Sequence, residues 1–277
     1  MASTSAESTS TRSSPAAFEL RGASVVYDGR AALRPADLVI RPGERVALVG
    51  PSGAGKTTLL RVLNAGVRPT AGAVLVGGRD LATLSPDELR HVRSTIGFVH
   101  QDLCLVPNLR VSQNVIAGQL GRRSLLGAAR AMLWPRREDV DRAARILARV
   151  GIGDKLYQRT DTLSGGQRQR VAIARALFQD PLGILADEPV SAVDPARARD
   201  TVALLNDVAR ERGLTLIVSL HDIRLATEFF PRLVGLRDGA VVFDAPAGAV
   251  TRDALDELYA LEGLERVPER GEDGPDR

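Results

Sequence analysis

Short apolar runs and helically spaced apolar residues alternate along most of the chain. Apolar and polar residues alternate from Phe18 onward. Turn-forming residues separate the short apolar segments that follow. The segments predicted as strands are residues 39–40, 45–49, 96–99, 182–186 and 214–220. Apolar residues three or four positions apart predict helices that begin after Gly55 and at residues 137, 165 and 195. Strands that alternate with helices indicate an α/β fold with a mainly parallel sheet.

Local signals place several helix ends. Leu59, Leu60 and Leu63 share the apolar side of the helix that follows Gly55. Asp194 precedes a proline and predicts an N-cap, and Gly213 predicts the end of the same helix. The helix over residues 137–150 should place its apolar positions broadly on one side. These are Val140, Ala144, Ile146, Leu147 and Val150.

The composition is typical of a soluble globular protein. The 277 residues are 44% apolar and 26% charged, and no stretch approaches the roughly 18 apolar residues that span a bilayer. Residues 1–15 are rich in Ser and Thr and lack an apolar core, so we expect a tail and no secretory signal. The single cysteine, Cys104, excludes an internal disulfide and is expected to pack rather than react.

The basic residues are almost all arginine. Of the 37 basic residues, only Lys56 and Lys155 are lysine, the net charge is +3 and the calculated pI is about 9.5. Such a pI raises the possibility of nucleic-acid binding. The arginines are dispersed among carboxylates, however, and aromatic residues make up 4%, so we predict no nucleic-acid partner.

A glycine-rich segment predicts a phosphate-binding loop. Residues 50–57, GPSGAGKT, match G-x-x-x-x-G-K-[ST] between a predicted buried strand and a helix. Backbone N–H groups of such a loop face phosphates, the Lys56 charge contacts the β/γ-phosphates and Thr57 offers its hydroxyl to Mg²⁺. An ordinary glycine-rich turn is the alternative. The predicted ATP contacts here are Gly50, Ser52, Gly53, Ala54, Gly55, Lys56, Thr57 and Thr58.

Two carboxylates follow the buried strand at residues 182–186. Open α/β sheets bind ligands at the carboxyl ends of their strands, where Asp187 and Glu188 would lie. We predict that Asp187 holds Mg²⁺ and that Glu188 polarises the attacking water. A carboxylate pair that merely caps the next segment is the alternative.

The pentapeptide LSGGQ at residues 163–167, followed by RQRVAIARAL, resembles the signature of the ATP-binding cassette (ABC) ATPases. Ser164 is a good N-cap, and the adjacent glycines expose a helix N-terminus that suits an anion. In this family the signature covers the γ-phosphate held by the partner's loop. The resemblance therefore implies a head-to-tail homodimer that binds two ATP, with Ser164, Gly165, Gly166 and Gln167 as ATP contacts.

Four smaller elements agree with this resemblance. Tyr27 matches the aromatic residue that stacks on adenine, and Gln101 resembles the Q-loop glutamine that senses Mg²⁺. Residues 191–194 resemble the D-loop at the dimer interface, in which Asp194 is a predicted ATP contact. His221 matches the switch histidine at the γ-phosphate, and with Glu188 and Lys56 it completes the predicted catalytic set.

The resemblance implies a domain plan. Residues 1–17 would be a disordered Ser/Thr-rich tail, and residues 18–250 one nucleotide-binding domain of the P-loop ABC type. This domain would have a mainly parallel core sheet, an antiparallel β portion and an inserted helical subdomain at about 102–165. Residues 251–277 would form a C-terminal helix and a polar tail.

A narrower resemblance favours import of phosphonate or a related phosphorus oxyanion. The stretches at residues 117–125, 134–139, 157–162 and 218–221 resemble the phosphonate-importer ATPases, although His100 and residues 103–105 depart from them. The implied partners are two integral-membrane permease subunits and, indirectly, an extracytoplasmic solute-binding protein. The implied location is peripheral, on the cytoplasmic face of the inner membrane. Another import substrate, export or lipoprotein release, and non-transport ABC functions remain alternatives.

Overall fold

The computed structural model describes residues 15–190 and 194–259. Their strands are β1 (Phe18–Tyr27), β2 (Arg30–Ile40), β3 (Arg45–Val49), β4 (Ala71–Val76), β5 (Arg79–Asp80), β6 (Ile96–Val99), β7 (Gly183–Ala186), β8 (Thr215–Leu220), β9 (Arg232–Arg237) and β10 (Ala240–Pro246). Their α-helices are α1 (Lys56–Leu63), α2 (Pro86–Ser94), α3 (Val111–Ile116), α4 (Leu125–Leu133), α5 (Arg137–Arg149), α6 (Gly165–Phe178), α7 (Pro195–Arg212), α8 (Ile223–Phe229) and α9 (Arg252–Tyr259).

The strands form two sheets. Strands β6, β7, β8, β3 and β9 lie side by side in parallel, and β10 pairs antiparallel with β9 at one edge. The second sheet is antiparallel, with the order β2-β1-β4-β5. The predicted α/β class, with a mainly parallel core and an antiparallel β portion, is therefore confirmed.

Alternation along the central strands divides the core in two. On β3, Val46 and Leu48 belong to the apolar cluster that includes residues of α1 and the antiparallel sheet, whereas Ala47 and Val49 belong to the cluster that includes residues of α6, α7 and α8. Successive side chains of a strand point to opposite faces, so a strand that is covered on both faces is apolar throughout. Because β3, β7 and β8 run parallel to one another, their carboxyl ends lie together along one side of the sheet.

Helices α3, α4 and α5 lie between β6 and α6 in the chain, within the predicted helical insertion. Of the predicted apolar positions, Ile146, Leu147 and Val150 are buried and Val140 packs against the core, whereas the buried alanine is Ala143 and not Ala144. Ala144 is only partly buried because it lies at the margin of the buried face. Among the described residues, no helix is both long and apolar enough to cross a bilayer. Residues 1–14 and 260–277 of the predicted tails lie outside the described residues, and the domain boundaries stay a prediction.

Candidate functional site

The loop at residues 50–57 joins the end of β3 to the start of α1. Gly55 caps α1 in a left-handed conformation, with φ 101°, and no side chain bonds the first N–H groups of the helix. These N–H groups and the helix dipole provide an anion site at the first turn. Gly50 has φ 145°, and a Cβ there would lie 2.0 Å from the Leu236 carbonyl oxygen. The loop conformation therefore requires glycine at position 50.

Lys56 is the first residue of α1 and is 4% exposed. Its Nζ donates hydrogen bonds to Gly50 O at 2.7 Å and to Pro51 O at 2.9 Å, and lies 4.0 Å from Glu188 Oε1. A cation in this position lies across the loop and close to the end of β7. It can neutralise a phosphate that the loop N–H groups hold.

Asp187 follows β7 and is 5% exposed. Its Oδ1 accepts hydrogen bonds from Thr57 Oγ1 at 3.1 Å and from Ser219 Oγ at 2.9 Å. The carboxylate and the Thr57 hydroxyl are hard oxygen donors on one side of the phosphate loop, which is the ligand type that Mg²⁺ prefers. These residues fit a Mg²⁺ site.

Glu188 lies next to Asp187 in an uncommon conformation, with φ 43° for a residue that has a side chain. Its N–H donates to Ser219 Oγ at 2.8 Å, and its Oε1 accepts a 2.5 Å hydrogen bond from His221 Nε2. Non-glycine residues in this region cluster at functional sites, where the surroundings hold them. The parallel pairing of β7 with β8 brings together the predicted catalytic residues Glu188 and His221, and the loop that follows β3 brings Lys56 to them.

Ser219 is a residue of this site that the motif analysis missed. It is fully buried on β8, accepts from the Glu188 N–H and donates to Asp187. A serine two residues before His221, in an otherwise almost wholly apolar strand, was the available signal. Ser219 therefore links the Asp187 carboxylate to the backbone of Glu188.

Gln101 is exposed just beyond β6, the strand next to β7. Gln101, Gly165 and Glu188 line one open cavity of about 490 Å³. Gln169 also lines this cavity, is 3% exposed, and has a side-chain Nε2 without a hydrogen-bond partner among the described residues. The cavity brings the Q-loop and signature segments to the edge that holds Glu188.

The signature segment caps α6 as predicted. Ser164 Oγ accepts from Gln167 N at 3.3 Å, and Gln167 Oε1 accepts from Ser164 N at 2.9 Å. Gly165 and Gly166 have open space where a Cβ would lie. Asp194 Oδ1 accepts from Arg197 N at 3.0 Å and caps α7, also as predicted. Residues 191–193 of the predicted D-loop lie outside the described residues.

Tyr27 ends β1 and is 47% exposed. It pairs with Arg30 across the hairpin to β2, and the Ala32 carbonyl oxygen on β2 lies 2.7 Å from where a Cβ on Gly55 would be. The hairpin therefore lies beside the phosphate loop and leaves the ring open to solvent, as a stacking surface requires.

The segment after Gln101 differs from the expectation for Cys104. The cysteine is exposed rather than packed, and Leu103 and Cys104 both have left-handed backbone conformations, with φ 60° and 44°. Its Sγ donates to Asp102 Oδ1 at 2.9 Å, and partial burial and this carboxylate raise the pKa of the thiol. Arg175 on α6 donates to the carbonyl oxygens of Leu103 and Cys104, so the loop is tied to the signature helix.

Comparison with known proteins places this geometry in a family. The ABC transporter family model matches residues 33–191. A phosphonates import ATP-binding protein of Pseudomonas aeruginosa strain UCBPP-PA14 is 50% identical over 251 residues, which cover 90% of this chain and 92% of that protein. One from Anaeromyxobacter dehalogenans is 52% identical over 244 residues, which cover 88% of this chain but only 48% of that longer protein.

Solved structures that are similar to this chain are also ATP-binding cassettes of ABC transporters. The dimeric post-hydrolysis structure of the ATP-binding cassette MJ0796, bound to ADP and Pi, has a TM-score of 0.71 and 33% identity, and the match covers 83% of this chain and 98% of that chain. The cbiO1 structure from Clostridium perfringens, part of the ABC transporter complex cbiONQ, has a TM-score of 0.73 and 28% identity, with coverages of 90% and 92%. The chain belongs to the ABC transporter family of ATP-binding ATPases.

Proposed function

We propose that this chain is the ATP-hydrolysing subunit of an ABC importer for phosphonate or a related phosphorus oxyanion. The observation that carries the catalytic part is the position of Glu188. It lies between His221 Nε2 and Lys56 Nζ, beside Asp187, at the strand ends that face the phosphate loop. The names of relatives that are about 50% identical support the substrate class.

In the proposed mechanism, different residues contribute to different parts of phosphoryl transfer to water. The loop N–H groups and Lys56 bind the triphosphate and neutralise its charge. Thr57 and Asp187, with Gln101, would hold Mg²⁺, which supplies further positive charge at the phosphate oxygens. Glu188 orients the attacking water and accepts its proton, and the hydrogen bond from His221 fixes the direction of that carboxylate.

A second copy of this chain completes the proposed site. The N-terminus of α6, where Gly165 and Gly166 leave open space beside Ser164, is an anion site that would cover the γ-phosphate bound by the partner subunit. Asp194 starts α7 next to the predicted D-loop, at the same interface. The two related MJ0796 structures are dimeric cassettes, which supports this arrangement.

The remaining partners follow from the proposed importer role. Two integral-membrane permease subunits would bind the nucleotide-binding dimer, and a solute-binding protein outside the membrane would deliver the substrate. The chain would then lie on the cytoplasmic face of the membrane. Closing and opening of the dimer would drive the permease between its two states.

Reconstitution tests this function. The chain is combined with its candidate permease in vesicles, and ATP hydrolysis is measured with the solute-binding protein, with and without a phosphonate. The expected result is that the phosphonate-loaded binding protein stimulates hydrolysis and uptake. Stimulation by an amino acid or metal ion alone would reject the substrate class and retain the ATPase. No stimulation by any loaded binding protein would reject the importer role.

A further inference from the structure

Helix α4 presents an apolar face to solvent. Leu125 is 87% exposed, Leu126 86% and Leu133 65%. With 3.6 residues per turn, these side chains lie within an arc of about 100°, opposite the buried Ala131. Trp134, at the helix end, is 72% exposed. An amphipathic helix with its apolar face outward indicates a surface that contacts another protein or a membrane.

Hydrogen bonds and an ion pair hold both ends of α4 in place. Ser124 Oγ accepts from Gly127 N at 3.2 Å, and Gln113 Nε2 on α3 donates to Met132 O at 3.0 Å. Arg123 bonds Asp139 on α5 at 2.9 Å. The apolar side chains are therefore presented from a fixed support at both ends.

The segment around α4 is rich in positive charge, although one of its arginines, Arg123, is paired with Asp139 on α5. Residues 117–137 contain five arginines and neither aspartate nor glutamate. Arg123, Arg130 and Arg136 line a shallow cavity of about 340 Å³ together with Trp134. This cavity, which is lined by guanidinium groups beside an indole ring, suits a phosphate group, because arginine binds phosphate through paired N–H donors.

We propose that this α4 surface, defined as Leu125, Leu126, Leu133 and Trp134 with Arg130 and Arg136, binds directly to an anionic lipid bilayer. A basic helix with exposed leucines lies in the plane of a membrane interface, and tryptophan is enriched at headgroup depth. The arginine-lined cavity receives a lipid phosphate while the leucines enter the acyl boundary. This contact requires neither nucleotide nor permease, so it is independent of the proposed transport function.

The sole tryptophan of the chain makes the test direct. Purified full-length protein without nucleotide is mixed with vesicles of phosphatidylcholine alone or with phosphatidylglycerol, and flotation and tryptophan emission are recorded. We expect flotation only with the anionic vesicles, accompanied by a blue shift that reports Trp134 entering an apolar environment. Added salt should weaken both signals.

Two variants locate the contact. The double change Leu125→Ser and Leu126→Ser should reduce partitioning roughly tenfold or more, because burial of two leucines is lost. Arg130→Gln with Arg136→Gln should remove the preference for anionic vesicles. The matched control is Leu182→Ser, which alters another leucine that is 65% exposed, in the segment between α6 and β7. ATP hydrolysis, measured in all variants, should be unchanged and shows that each folds.

Several outcomes would overturn the proposal. They are an absence of wild-type flotation with anionic vesicles at low salt, and flotation that the leucine pair does not affect. Equal binding to phosphatidylcholine vesicles would contradict the proposed preference for anionic lipid. A Trp134 shift that grows with protein concentration without lipid would assign the surface to a second copy. A shift with inorganic phosphate but not with vesicles would assign the cavity to a soluble anion.

Discussion

At the scale of single residues, the site depends on the placement of a few charged and hydroxyl groups. Lys56 is one of only two lysines and is buried against its own loop. Lys56→Ala should abolish ATP binding, because the positive charge at the loop is lost together with the hydrogen bonds from Nζ to Gly50 O and Pro51 O. Lys155→Ala is the matched control and should bind ATP normally. Fluorescent-nucleotide titration measures both, and unchanged affinity for the Lys56 variant would contradict the phosphate-loop assignment.

Ser219 gives a second prediction at this scale. Ser219→Ala removes the hydrogen bonds to Asp187 and to the Glu188 N–H, so turnover should fall about 10- to 100-fold. As a positioning residue, it should alter kcat and the Mg²⁺ dependence more than the KM for ATP. Thr215→Val changes a buried hydroxyl at the far end of the same strand and should affect stability alone. A similar fall in kcat for both variants would show that Ser219 has only a structural role.

At the scale of elements, two helices in this chain share one type of N-cap but differ in expected function. Ser164 on α6 and Ser85 on α2 each form a capping box with the residue three positions later. Replacing either serine by alanine should cost about 1 kcal/mol of unfolding free energy, which chemical denaturation measures. Only Ser164→Ala should also weaken ATP-driven dimerisation, because only α6 carries the signature. Equal loss of dimerisation in both variants would contradict a role for Ser164 at the nucleotide.

At the scale of the whole molecule, the proposed function has one chain supply halves of two different nucleotide sites. The phosphate loop leads into α1 and the signature leads into α6. Each of these two motifs occurs once in the sequence. In the proposed head-to-tail dimer each half would meet its complement, so that ATP would join two copies. The rate of hydrolysis should therefore rise more steeply than linearly with protein concentration in the range where the dimer forms.

Glu188→Gln tests this assembly. The amide cannot accept the proton of water, so turnover should nearly vanish, while bound ATP persists and holds the dimer together. Size exclusion with light scattering should show a dimer only with ATP. Glu211→Gln, which alters an exposed carboxylate bonded to Arg149, should keep both turnover and the wild-type elution profile. A Glu188 variant that stays monomeric with normal hydrolysis would refute the assignment.

Much of the fold could be predicted from local patterns. The helix α6 begins at Gly165 and the strand β6 spans Ile96–Val99, both as predicted, and Asp194, Ser164 and Gly213 lie at the predicted helix ends. Caps, glycine stops and buried apolar runs act over a few neighbouring residues, so the sequence shows them directly. The motif residues were equally visible, because phosphate binding demands glycines and a lysine at fixed spacing.

The sequence by itself determined which chemical groups are present and the order in which they follow the strands. Only the tertiary structure decided which of them meet. Glu188 and His221 are separated along the chain, and parallel pairing of β7 with β8 joins them by a hydrogen bond that also needs the left-handed backbone of Glu188. Ser219, the exposed turn of Cys104 and the outward leucines of α4 likewise depend on packing between distant segments. No local periodicity records such packing, since it follows from how whole elements cover one another.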